Sequence, residues 1–266
     1  YLPEKVITNE ELSKKMGFDV SQFLSGIKLR HISAPDEASS DMAIEAAKEA
    51  LKNAGMKPED LDLIILTTDT PDIVTPPTSL IIQHKLGARN AAAFDMNGAC
   101  ADAVIGMTVA SHYIAMNPEI NNVLVVASYA MTKWLDWDNK VLAPMFGDGA
   151  SAVILTASDK PGFLSSAMLA DGSYWDSYGI YVGTKYPITK EMVEKKEHLL
   201  RFHPNLHKYP PDINYGRWPD LVKKVIEKIG YTVNDLDMVL FTQVRLIDIE
   251  KSMERLNLPM EKTHYI

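Results

Sequence analysis

Apolar residues gather along this chain in two patterns, spaced at helical intervals or packed in short unbroken runs, and the two alternate. Residues 46–68, AAKEALKNAGMKPEDLDLIILTT, contain both, separated by a glycine and a polar stretch. That order reads as an amphipathic helix, a glycine stop, a turn and a buried strand. Ser79 to Leu86 predicts a helix ending at Gly87, and Ala91 to Asp95 a short strand. Ala101 to Met116 predicts a long apolar helix that stops near Asn117 and Pro118. Val123 to Ser128 (VLVVAS) and Ala150 to Thr156 (ASAVILT) predict strands of the buried, parallel kind. Helices alternating with such strands imply an α/β protein of layered sheets and helices with right-handed crossovers.

The first pattern returns later. Residues 221–243, LVKKVIEKIGYTVNDLDMVLFTQ, follow 46–68 at a shift of 175, which places Gly55 on Gly230 and Thr67 on Thr242. Asp60-Leu61-Asp62 falls on Asp235-Leu236-Asp237, and the apolar positions match. Helix, glycine, turn and strand is a common order in α/β proteins, but the coincidence of order, turn and identities favours a structural duplication. The halves divide at 1–158 and 159–266, and Asp237 to Phe241 is the strand expected in the second. Between about Asp176 and Trp218 runs an irregular stretch rich in Tyr, Pro and His, too long for a simple connection.

Composition narrows the picture. A hydrophobic content of 46% with 23% charged residues is that of a globular protein that buries a core. A net charge of −8 argues against nucleic acid as the main partner, since phosphate binding needs a basic face. No apolar run approaches the ~20 residues of a membrane span, so no membrane partner is expected. One cysteine excludes an internal disulfide and makes the cytoplasm the natural compartment. The chain starts without methionine and stops abruptly at Ile266, so it reads as a fragment with a truncated second half.

That cysteine, Cys100, lies in Phe94-Asp95-Met96-Asn97-Gly98-Ala99-Cys100-Ala101, between a predicted strand and the long apolar helix. A thiol at a helix start meets unpaired N–H groups and the positive end of the helix dipole, which favour thiolate. Small neighbours leave room for a tight turn and a bulky acyl chain, as in other strand–turn–nucleophile elbows. Position alone leaves two readings open: a nucleophile, or a small packed residue.

The surrounding residues carry a resemblance that favours the first. Tyr1 to Leu12 is similar to the opening of the ketoacyl-ACP synthase III family of condensing enzymes, in the thiolase superfamily. Gly26-Ile27-Lys28-Leu29-Arg30 is similar to its GIxxR segment, and Phe94 to Ala101 resembles its nucleophile motif. Phe146-Gly147-Asp148-Gly149-Ala150 matches FGDGA, and Ala170-Asp171-Gly172-Ser173 matches ADGS. The resemblance implies a thiolase-like fold of two duplicated βαβαβ-type halves, layered α/β/α/β/α. It implies an acyltransferase in which Cys100 takes an acyl group from acyl-CoA. A malonyl-type extender on acyl carrier protein is then decarboxylated and attacks that thioester. No tightly bound cofactor is implied; acyl-CoA is a substrate, and the enzyme is expected to be a homodimer.

Three places depart from the family pattern. The family's catalytic histidine begins an H-Q-A-N run, where this chain has Thr242-Gln243-Val244-Arg245. Thr242 thus occupies the histidine position; its hydroxyl donates one hydrogen bond and does not titrate near neutral pH. Arg245 stands in the asparagine position, poised for a substrate carboxylate or phosphate, or for an ion pair with Asp248 or Glu250. Val20 and Leu24 fall where the family has a Trp and an Arg at the CoA adenine, and Lys140 where it has another CoA-contacting Arg. Lys140 meets phosphate as a point charge but does not stack on adenine as guanidinium does. Trp134 and Trp137 stand near it, either to stack on a ligand or to pack beneath a loop. His203 and His207 are four apart, but prolines surround them and no acidic third ligand is close, so no metal site is expected. Two other readings remain: acyl transfer from Cys100 without decarboxylation, and a non-catalytic partner subunit of the same fold.

Overall fold

The computed structural model describes residues 1–24, 26–204 and 208–265; His207 lies outside the described residues. In chain order the elements are β1 (Lys5–Thr8), α1 (Asn9–Met16), β2 (Leu29–Ile32), α2 (Ser39–Ala54), β3 (Leu63–Thr67) and α3 (Thr78–Leu86). There follow β4 (Ala92–Met96), α4 (Asp102–Met116), β5 (Asn122–Tyr129) and β6 (Gly149–Thr156). The remainder comprises β7 (Tyr178–Gly179), α5 (Lys190–Glu194), β8 (Arg201–Phe202), α6 (Ile213–Glu227) and α7 (Leu246–Leu256). They divide into two compact units that interleave along the sequence. The first holds Tyr1–Ile7, Arg30–Thr132 and Gly147–Phe163; the second holds Thr8–Leu29, Lys133–Phe146 and Leu164–Ile266.

The first unit is built on a four-stranded sheet in the order β4-β3-β5-β6. Every residue of β3 is buried, because its two faces meet two different helix layers. Ile64 and Leu66 of β3, with Leu124 and Val126 of β5, pack on Ala43, Ile44, Ala47 and Leu51 of α2 and on Ile82 and Leu86 of α3. The alternate residues Leu63, Ile65, Val123 and Val125 pack against Ala110 of α4. This is the alternation of successive side chains in a pleated strand, with apolar residues on both sides. β3 pairs parallel with β4 (Leu63 opposite Ala92) and with β5 (Leu63 opposite Val123). The chain therefore leaves β3 in one direction along the sheet and crosses back over it to reach β5. Right-handed crossovers then put α3 and α4 on opposite faces, as observed.

Close approach fixes α4 on the sheet. A Cβ added at Gly106 would stand 2.8 Å from both Thr67 Cγ2 and Val125 Cγ1, inside van der Waals contact. The helical run Ala99–Met116 is 18 residues long, and by length and composition alone it is sufficient to cross a membrane. That corrects the expectation that no apolar run approaches such a length. The core helix of a globular protein passes the same test, and Gly106 and Ala110 pack this one on the sheet.

The strand at 150–156 forms as predicted but runs antiparallel to β5, with Asn122 opposite Thr156 and Tyr129 opposite Gly149. Only short 3₁₀ turns lie between β5 and β6. With no crossover helix to carry the chain back across the sheet, the second strand returns in the opposite sense. Asp148, at the start of that strand, is a buried tie. Its carboxylate accepts from Ser33 N (2.8 Å), Ser33 Oγ (2.7 Å), Thr132 N (2.9 Å) and Thr132 Oγ1 (2.5 Å). Its own N–H donates to His31 O at 2.8 Å.

In the second unit α6 and α7 enclose Val239, Ile249, Met253, Leu256 and Leu258, with the Trp218 ring stacked on Phe241 at 5.3 Å. Gly55 and Gly230 both end the helical segments in left-handed conformation, and a 3₁₀ turn follows at Pro58–Asp60 and at Val233–Asp235. Helix, stop and turn of the sequence repeat are thus present twice. The strand expected at 237–241 is not. Met238 and Leu240 face outward and Val239 inward, but its ladder amounts to one bond from Val239 N to Lys262 O, 2.8 Å. A strand-like apolar pattern with no neighbouring strand stays an extended segment. Substituting Gly106→Val should destabilise the first unit by about 2–3 kcal/mol through overpacking, measured by urea denaturation, with Gly162→Val, which meets open space, near parent stability.

Candidate active site

Parallel strands deliver their loops to one edge, and the first unit places its reactive groups there. β3 and β4 end together, with Thr68 N donating to Met96 O at 3.0 Å. Beyond that bond the chains part, Asp69 following on one side and Asn97-Gly98 on the other. Asp95, inside the cysteine motif, faces neither ligand nor thiol. Its carboxylate accepts from Thr78 N (2.7 Å) and Ser79 N (2.8 Å) and caps α3.

The turn to α4 is tight. Ala99 has φ of 51°, the left-handed region that residues with a Cβ rarely adopt, so strain is held just before the cysteine. A Cβ at Gly98 would lie 2.7 Å from Ile105 Cδ1 and 2.8 Å from Asp102 Oδ1, so any larger residue there would push the ends of both side chains aside. Ala99–Ala101 forms one 3₁₀ turn and α4 proper starts at Asp102. Cys100 is exposed on that turn.

Its electrostatics reverse the sequence expectation. The thiol pKa is raised: the surrounding protein desolvates the thiolate, and the charges of Asp69 and Asp102 oppose it. Only the residue's own backbone N–H pulls the other way. The physical reason is visible at the helix start, where Asp102 Oδ1 takes the Gly98 N–H and sets a carboxylate beside the dipole end. Asp102 is 6% exposed, and burial pushes its pKa up to about 6 against the pull of the Gly98 N–H, with Asp69 adding to the rise. Asp69 is raised by burial as well, and its Oδ1 is enclosed without a hydrogen-bond partner. Sequence reasoning missed both carboxylates. Asp102 was legible as an acid in the first helical turn, whereas Asp69 lies 31 positions before the cysteine.

The other predicted residues lie in the second unit. Thr242 is exposed in an irregular segment, just past the residues where the second-half strand was expected. Gln243 donates to Phe241 O (2.9 Å) and His264 O (3.2 Å). Of the two roles open to Arg245, the ion pair is formed: its Nε and terminal nitrogen grip Asp248 at 2.9 and 2.7 Å. Asp248 is fully buried, and its carboxylate raises the pKa of Arg245. Lys140 borders a cavity of about 520 Å³, lined also by Phe18, Val20, Leu24, Pro144 and Met145. Residues far apart in sequence thus converge on one apolar pocket whose cation is Lys140, 5.3 Å from the Phe18 ring centroid. Trp134 and Trp137 do not line it; Trp137 lies under Lys15 at 5.0 Å.

Comparison with known proteins agrees with this geometry. Residues 94–172, which include the elbow and the Asp148 tie, match the model of 3-oxoacyl-[acyl-carrier-protein (ACP)] synthase III. A beta-ketoacyl-[acyl-carrier-protein] synthase III of Xanthomonas oryzae is 36% identical over 98% of this chain and 79% of its own length. One of Caldanaerobacter subterraneus is 35% identical over 99% of the chain and 80% of its own. The solved 3-oxoacyl-[acyl-carrier-protein] synthase III of Aquifex aeolicus superposes with a TM-score of 0.84 at 30% identity. That match covers 100% of this chain and 81% of the other. The priming beta-ketosynthase of the R1128 polyketide pathway gives 0.83 at 27% identity, over 100% and 78%. The fold is thiolase-like and the protein is an acyl-transferring enzyme. The chain belongs to the 3-oxoacyl-[acyl-carrier-protein] synthase III family, the condensing acyltransferases.

A carboxyl that binds its proton near pH 6 when folded and near 3.8 when unfolded makes the native state the better proton binder between those values. Its contribution to stability therefore falls as pH rises through that window. Asp102→Asn, which keeps an acceptor for Gly98 N–H, should remove up to about 3 kcal/mol of that fall. Urea denaturation of parent and variant at pH 4.5 and 7.5 checks it, the variant gaining on the parent at the higher pH.

Proposed function

We propose that Cys100 carries the acyl group of the condensing reaction as a thioester. The observation that supports this reading is its place: exposed on a strained elbow at the carboxyl ends of parallel strands, within the segment that matches the family model. The sulfur attacks the carbonyl of an acyl-CoA and the CoA thiol departs. A malonyl-type extender on acyl carrier protein then loses CO₂, and its carbanion attacks the thioester carbonyl, expelling the Cys100 thiolate as the 3-oxoacyl product forms. Backbone N–H groups on the elbow are the donors for the tetrahedral oxyanion in this scheme. The apolar pocket beside Lys140 receives the CoA moiety, with Lys140 on a phosphate and no guanidinium to stack on adenine. Arg245 is engaged with Asp248 and serves that unit's packing. A homodimer of two such chains, each with halves 1–158 and 159–266, acting in the cytoplasm, completes the reading.

Thr242 favours a second reading in which the chemistry stops at acyl transfer. It supplies no imidazole for the enolate, and loss of one such donor costs other enzymes ~10²–10³ in rate. The two readings differ in one product. Labelled acyl-CoAs of graded chain length should leave an acyl adduct on the Cys100 peptide in mass spectrometry, absent in Cys100→Ala. No adduct from any chain length overturns the thioester; an adduct without Cys100-dependent CO₂ release from malonyl donor selects the second reading. Lys140→Ala should raise KM for acyl-CoA several-fold with kcat little changed, in steady-state kinetics.

A further inference from the structure

We propose that Lys196 is a positioning residue for the pocket at Lys140, clasping the stretch of chain that carries that lysine. The inference rests on the reading that the pocket receives CoA. The wall of the pocket needs an outside hold. Residues 135–146 contain no strand and only one 3₁₀ turn, Ala143–Met145, yet they supply Lys140, Val141, Pro144 and Met145 to the cavity. Their order comes from a string of turns. Asp136 Oδ1 accepts from Asp138 N (3.1 Å), and Asp136 O accepts from Asn139 N (2.9 Å). Asn139 Oδ1 then accepts from Val141 N and Leu142 N, both at 3.0 Å, and its carbonyl from Ala143 N at 3.1 Å. The placement of Lys140 thus follows from that of Asp136.

Lys196 grips the start of that string. Its Nζ donates to Asp136 Oδ1 (2.8 Å) and to Asp138 Oδ2 (2.7 Å), residues 60 and 58 positions away. The neighbouring backbone joins the same stretch, with Leu200 N donating to Trp134 O at 2.8 Å. The lysine stands where its own backbone would favour another residue. Glu197 N bonds Met192 O (2.8 Å) and Lys196 N bonds Val193 O (3.0 Å), the paired bonds of a Schellman stop after α5. Lys196 there has φ of 58°, a left-handed position that glycine usually occupies. A lysine kept in that conformation is an outlier that points to a task for its side chain.

Charge gives the clasp a second effect. Asp136 and Asp138 stand four and two positions before Lys140, where free carboxylates would compete for its ammonium. Lys196 takes both, and their hydrogen bonds, that of Asp136 foremost, raise its own pKa and keep it charged. Asp19, the other charged residue lining the cavity, turns its carboxylate to Ser21 and Gln22. Among the described residues Lys140 pairs with no carboxylate and lies over the Phe18 ring. Its charge is left for a phosphate. The Lys196 side chain is 48% exposed, and ion pairs so exposed add little to stability, so the clasp acts on ligand affinity rather than on folding.

The test is calorimetric titration of the protein with CoA. Lys140→Ala should weaken CoA binding several-fold, and Lys196→Ala at least threefold with Tm near the parent's. Lys196→Gly suits the left-handed backbone but lacks the ammonium, so it should lose as much affinity and decides the matter where Lys196→Ala folds poorly. Lys196→Arg should bind within twofold of the parent. Lys195→Ala removes a neighbouring lysine that pairs with Glu191 at 2.7 Å and should bind as the parent does. Because Lys196 acts through the wall that carries Lys140, the double variant Lys140→Ala/Lys196→Ala should lose less than the product of the two single losses. In turnover the loss belongs in KM for acyl-CoA, with kcat little changed. Parent-like CoA affinity in Lys196→Gly, or single losses that multiply in full, overturns the proposal. Parent-like affinity in Lys140→Ala overturns the pocket reading itself, and this inference with it.

Discussion

Much of the first unit hangs on one buried carboxylate. Asp148 gathers four donors from Ser33 and Thr132, residues 115 and 16 positions away, and anchors its own N–H on His31. Hydrogen bonds to a charged acceptor are the stronger kind, and removing such an acceptor strands every donor it served. The tie joins the end of β2, the exit from β5 and the entry to β6. Without it the antiparallel strand would start from its pairing with β5 and the bonds between Ala150 and Tyr1 alone.

The sheet in turn explains the reactive edge. β3 is buried on both faces, and its neighbours are registered on it residue by residue. Gly106 brings α4 down until methyl groups of Thr67 and Val125 fill the space a side chain would occupy. The helix start, and with it the Cys100 turn, is therefore placed by the sheet rather than by loop contacts. Acidic groups around that turn set a chemistry unlike the one its helix position suggested. A dipole end favours thiolate by a modest amount, which desolvation by the surrounding chain and two nearby carboxyls outweigh.

Legibility in the sequence followed the range of the interactions concerned. The ends of α3 and α4 and the strands β4, β5 and β6 were readable to within a residue or two, because glycine stops and unbroken apolar runs are local signals. The direction of β6 was not, since Ala150 to Thr156 carries the same pattern whether its neighbour runs with it or against it. The segment after Asp237 had the apolar pattern of a strand and lacked a partner to pair with. Cys100 stood out through its neighbours in sequence. Asp69 did not, because only strand pairing brings the chain at residue 68 beside residue 96. The pocket at Lys140 was traced by resemblance through Val20 and Leu24, although neither residue announces a ligand by its own chemistry.

The interleaving of the two units has a consequence for how the protein is made. The first unit takes its last segment from Gly147–Phe163, so a ribosome that has released residue 163 has supplied all of it. The second unit contributes Thr8–Leu29 and Lys133–Phe146 early and then waits for residues beyond Leu164. Vectorial synthesis thus finishes the sheet and its cysteine elbow before the second unit has received its last segment. During that interval the pocket at Lys140 already has its lining residues, since all of them, from Phe18 to Met145, precede residue 163.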